Sequence, residues 1–79
     1  MRSMWQILCA VIDGEITTPE QGSALLAEES KEYAVVLKIP EAQARAQLRS
    51  NIADCATLCL SSDAAKIREF FLLGNEADR

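Results

Sequence analysis

Two clusters of oxygen-bearing side chains give this 79-residue chain its means of doing chemistry. The first is Glu28, Glu29 and Glu32, within LLAEESKEYAVVL at residues 25–37; the second is Asn51 and Asp54, within NIADCATLCL at residues 51–60. Residues three apart share a helix face, so Glu29 and Glu32 are expected to point the same way, beside the stripe of Leu26, Tyr33 and Leu37. If both stretches are helices and pack antiparallel, four such side chains converge. Carboxylate and carbonyl oxygens gathered between the helices of a bundle are ligands for a hard divalent cation. The competing reading is a solvated acidic face, with Lys31 close enough to pair with Glu28. A Glu-x-x-Glu alone is a weak signal, and its weight here comes from the spaced Asn-x-x-Asp.

The elements that must position these residues follow from periodicity and punctuation. A first helix is predicted over residues 3–13, with Met4, Leu8, Val11 and Ile12 on one face and Trp5 at its edge. Gly14 fits the left-handed stop, and Ile16 folds back on the last turn. Thr18, Pro19 and Gln21 then open a second helix over 19–38 with an N-cap, a first-turn proline and a Thr-x-x-Gln capping box. The short connection makes these two helices expected antiparallel neighbours. Gly22 is expected to permit a close approach of the first helix. Ile39 before Pro40 stops the second helix, and Pro40 restarts a third over 40–60. That helix carries Leu48, Ile52, Cys55 and Cys59 on one stripe and Ala42, Ala46, Ala53 and Ala56 on a second. Ser62 caps a fourth helix over 63–73, with Ile67, Phe70, Phe71 and Leu73 inward and Gly74 as its stop. Residues 75–79 are expected to fray. The predicted fold is all-α, a single domain over 1–79 built as a compact bundle of about four helices.

Composition narrows the partners. Hydrophobic residues make up 49 % of the chain and only four residues are aromatic, which favours a folded helical protein. A core this small, with so much apolar surface, suggests burial in an oligomer, most simply a homodimer. The net charge is −4 and the basic residues are scattered, so nucleic-acid binding is unlikely on charge grounds. Cys9, Cys55 and Cys59 are an odd number on apolar helical positions, which argues against a disulfide framework and for a reducing, cytoplasmic location. With no His in the chain, buried apolar thiols are favoured over zinc ligands or a nucleophile. Residues 4–12 are too short an apolar run to span a membrane, and no signal-peptide cleavage site follows them.

The two motifs together resemble the metal signature of the MazG-like all-α nucleoside triphosphate pyrophosphatases. EESKEYAVVL is similar to that family's acidic helix and NIADCATLCL to its second motif, over residues 25–60. The resemblance implies magnesium held by Glu29, Glu32, Asn51 and Asp54. It also implies hydrolysis of a nucleoside triphosphate to monophosphate and pyrophosphate, with Glu28 assisting as base. Lys31, Arg49 and Trp5 are the candidates for holding the nucleotide. The chain departs from the family at Asn51, which stands where a third acid is expected. An amide oxygen can ligate, but the lost charge predicts weaker magnesium binding. The rival reading is a non-enzymatic acidic helical protein that binds another protein, as an inhibitor, adaptor or chaperone does. Its anchor would be an apolar patch on the first or fourth helix, rimmed by acids. Mimicry of nucleic acid by the acidic face is a third reading.

Overall fold

A computed structural model describes residues 2–72 of the chain, and within them every regular element is helical. The helix α1 (Met4–Ile12) starts at a cap that the serine at its head supplies. Ser3 Oγ accepts from the Gln6 amide at 3.2 Å, and Gln6 Oε1 accepts from the Ser3 amide at 2.8 Å. Two otherwise orphaned donors are thereby satisfied. The helix ends at Gly14, whose φ of +84° no β-branched residue would tolerate. The Ile16 amide then reaches back to the Ala10 carbonyl at 2.8 Å, and Ile16 is buried.

The helix α2 (Pro19–Leu37) opens as its sequence demands, with one change of partner. Thr18 Oγ1 accepts from the Gln21 amide at 3.2 Å. The Gln21 side chain, however, bonds the Thr17 amide at 2.7 Å and the Thr17 hydroxyl at 3.1 Å rather than the Thr18 amide. Lys38 closes α2 in the left-handed conformation (φ 56°, ψ 46°), and Ile39 bonds back to Ala34 at 3.1 Å. Pro40 follows and blocks continuation.

The helix α3 (Glu41–Ala56) is shorter than the predicted 40–60. The Thr57, Leu58 and Cys59 amides bond carbonyls three residues back, at 3.3, 3.0 and 3.1 Å, and the Thr57 hydroxyl caps the Asp54 carbonyl at 2.7 Å. This tight winding, with a Thr side chain competing for a main-chain acceptor, ends the helix early. The helix α4 (Ser61–Ile67) starts before the predicted cap, with Leu60 at the N-cap position and no side-chain cap bond. It passes into a π-helical segment, Arg68–Leu72. Leu73, Gly74 and the tail at 75–79 lie outside the described residues.

The core is built from Ile7, Leu8, Val11, Leu25, Leu26, Leu48, Ile52, Ile67 and Phe71. The helix α2 packs on α3 and on the π segment, whereas α1 packs chiefly on α3 and α4. The expected α1–α2 pairing is thus reduced, and the Arg2 amide ties the start of α1 to α2. Gly22 meets the π segment rather than the first helix. A β-carbon there would collide with the Phe70 carbonyl oxygen and stand 2.8 Å from its carbon. Several expected core positions move outward. Ile12, Leu37, Cys9, Ala42 and Ala46 are exposed, while Met4, Tyr33, Ala53 and Phe70 are half-buried. On α3 the buried stripe is Ala44, Leu48, Ile52 and Ala56, flanked by half-buried Ala53 and Cys55, with half-buried Cys59 just beyond its end. The helix meets α1, α2, α4 and the π segment.

Candidate functional site

The acidic cluster divides on folding. Glu29 faces the core beside Ser30 and is only 4 % exposed, while Glu28 and Glu32 are exposed. A buried carboxylate needs a donor. Glu29 Oε1 takes the Arg2 amide at 2.9 Å. The Arg2 guanidinium turns outward to Glu15 Oε1 at 3.1 Å. That hydrogen bond, followed by the charges of Glu15, Glu29 and Glu28, raises the Arg2 pKa above the ordinary arginine range despite an opposing desolvation. Arg2 is the partner that sequence reasoning missed. Its signal was available, because it is the sole cation before Lys31.

The second motif lies on α3, with Asn51 and Asp54 both exposed. The buried stripe of α3 passes through Ile52, and Asp54 lies two residues on, about 200° around the helix axis. Asp54 is accordingly exposed. Asn51 stands about 100° from Ile52, on the exposed flank. No group of three or more Cys, Asp or Glu side chains able to hold a metal forms among the described residues. Arg49 is engaged elsewhere, donating from Nη2 to the Leu72 carbonyl at 3.1 Å and so capping the π segment. Arg45 likewise joins α3 to α2 through Ser23 at 3.3 Å. Trp5 is 54 % exposed on α1, and Lys31 is exposed on α2.

A different feature dominates the surface. From residue 31 to residue 43 no side chain is buried, so the end of α2 and the start of α3 extend past the core as a helical corner. The core-facing positions Leu26, Glu29 and Ser30 repeat seven residues later as Tyr33, Val36 and Leu37, on nearly the same face of α2. The inward stripe therefore outruns the elements that cover it. Val35, on the outer side, is 78 % exposed, Val36 60 % and Leu37 47 %. Valine has only middling helix propensity, and here it gains no burial, so nothing within the chain favours it at these positions. Lys31, Glu32, Val35 and Val36 line a shallow, largely apolar depression of about 410 Å³. Sequence periodicity could not find this site, because Tyr33 and Leu37 look the same whether the core reaches them or not.

No known protein family, curated protein or solved structure matches the chain.

Proposed function

We propose that the chain is a non-enzymatic protein-binding module that docks through the corner at residues 31–43. The observation that carries this reading is the run of three exposed apolar side chains, Val35, Val36 and Leu37, on a stretch with no buried residue. Contiguous apolar surface rimmed by charge is the usual anatomy of a protein interface. This reading takes the end of α2 as the anchor, where the sequence suggests the first or fourth helix. The three cysteines are unpaired thiols, which suits a reducing cytoplasmic setting. No helix among the described residues is long and apolar enough to cross a membrane.

The test is binding of the apolar dye bis-ANS by the native chain. Saturable binding that Val36→Asp/Leu37→Ser abolishes, with helicity retained, is the expected result. Absence of binding, or binding indifferent to that pair of changes, would sink the proposal.

A magnesium-dependent nucleotide pyrophosphatase is the second reading. What favours it is the extensive α2–α3 packing, with an inward Glu29 carboxylate beside it. It requires the exposed Asn51 and Asp54 of α3 to share a cation with Glu29 and Glu32 of α2. Melting with EDTA, magnesium or manganese, for wild type and Asp54→Ala in parallel, decides it. A wild-type shift that the variant lacks supports this reading and would open a triphosphate hydrolysis panel; no shift at millimolar metal removes it.

A further inference from the structure

We infer that the first occupant of the corner is a second copy of this chain, seated on the outer face of α2 with the two α2 helices running in the same direction. The inference rests on the docking reading above and adds the partner. It comes from the placement of charge around Val35. On a helix of about 100° per residue, Lys31 falls roughly 40° to one side of Val35 and Glu32 roughly 60° to the other. Both line the same depression as Val35 and Val36. The apolar floor therefore has one basic wall and one acidic wall.

Such a surface forms ion pairs with itself when the two helices run parallel. With the two helices parallel about a two-fold axis, Val35 meets Val35 and each Lys31 faces the other copy's Glu32, giving two ion pairs. With the helices antiparallel about Val35, the basic walls lie on one side and the acidic walls on the other. The two Lys31 positions then stand about 12 Å apart along the axis, and no Lys31–Glu32 pair forms between copies. A partner of a single charge sign would satisfy one wall and oppose the other. A carboxylate has lone pairs for more than one donor, so Glu32 can take an intermolecular lysine beside partners within its own chain.

The same face also limits the contact. Glu28 lies two turns before Val35 and about 20° from it, so Glu28 approaches Glu28 and the paired helices splay apart toward the body of the bundle. Only the overhanging end meets. An interface of this extent is at the low end of specific contacts, so dissociation in the range of about ten to several hundred micromolar is expected.

Sedimentation equilibrium of the full chain, from about 5 µM to about 1 mM, tests this directly. The mass is expected to rise from monomer to dimer across the range. Val35→Asp should hold the chain as a monomer, with unchanged far-ultraviolet circular dichroism because the position is exposed. Lys31→Glu and Glu32→Lys should each weaken association by about tenfold or more, and the double exchange Lys31→Glu/Glu32→Lys should recover it. Glu28→Gln should tighten the dimer severalfold. A wild type that remains monomeric at the highest concentration overturns the inference, as does a dimer that survives Val35→Asp or a double exchange that fails to recover. Bis-ANS at the lowest concentration separates the two levels of the argument. Dye binding by a chain that never dimerises leaves the docking surface standing and removes only the second copy. No dye binding and no dimer removes both.

Discussion

The two halves of α2 carry the same apolar stripe and meet opposite fates. In the first half Leu25, Leu26, Glu29 and Ser30 are buried, and even a carboxylate is drawn inside and given a main-chain donor. In the second half Tyr33, Val36 and Leu37 occupy the equivalent positions with nothing packed over them strongly enough to bury them. The difference is not in the helix, which continues through both halves. It lies in the reach of the neighbours: the π segment meets α2 at Gly22 and the Arg2 amide meets it at Glu29, both in the first half. Burial is thus a property of tertiary coverage, and an amphipathic pattern states only which face would be buried if a neighbour arrived. Polar placement follows the same division. The acid inside the bundle acts as an acceptor for a backbone amide, whereas those on the overhang are exposed to solvent.

Substitutions can be used to break this contrast. The largest effect is expected at the close approach of α2 to the π segment. Gly22→Ala places a methyl group against the Phe70 carbonyl, which is backbone and cannot rotate aside. A loss of about 3 kcal/mol, at the upper end for overpacking, is expected in urea unfolding. A loss below the ordinary helix gain from Gly to Ala would mean that the two segments are not in contact. Next is Glu29→Leu, which leaves the Arg2 amide without its acceptor while adding apolar surface. A net loss of about 1 kcal/mol is expected, together with faster hydrogen exchange at the Arg2 amide. If the exchange rate does not change, Glu29 does not hold the start of α1.

Much of the first half was legible in the sequence because its signals are local. Thr18, Pro19 and Gln21 mark a helix start through bonds that span three or four residues, and Gly14 marks a stop through its own φ. The retained Gln21 side chain chose Thr17 over Thr18, a shift within the same turn that leaves the helix start intact. The site was less legible. Glu29 and Glu32 share a helix face by spacing, yet one is buried and the other exposed, because the elements that cover Glu29 stop short of Glu32. Asp54 was expected beside Asn51 on the inner side of the third helix. The stripe through Leu48 and Ile52 turns that helix so that Asp54 points outward. Cys9 was likewise expected inside, but the burial of Ile7, Leu8, Ala10 and Val11 centres the inward face of α1 away from it. Rotation of a helix about its axis is fixed by what it packs against, and a three-residue motif carries no information about that.

The smallest effect, and the one that sharpens the comparison most, is expected at Val35. Truncation of a buried apolar residue in the first half, Leu26→Ala, removes packing and should cost about 2–5 kcal/mol, since Leu26 is 1 % exposed. Val35 is 78 % exposed, so Val35→Ala removes little packing within the chain and replaces a β-branched residue by the best helix former. The sign should therefore reverse, with a gain of about 0.5 kcal/mol and a rise in Tm of about 2–4 °C for a domain of this size. The measurement belongs at the lowest workable concentration, where association contributes least to stability. As concentration rises, the wild type should overtake the variant, because the same methyl groups that do nothing for the monomer are buried between two copies. A loss of stability in Val35→Ala at low concentration would mean that the chain itself covers Val35, and the corner would then be part of the fold rather than a surface waiting for a partner.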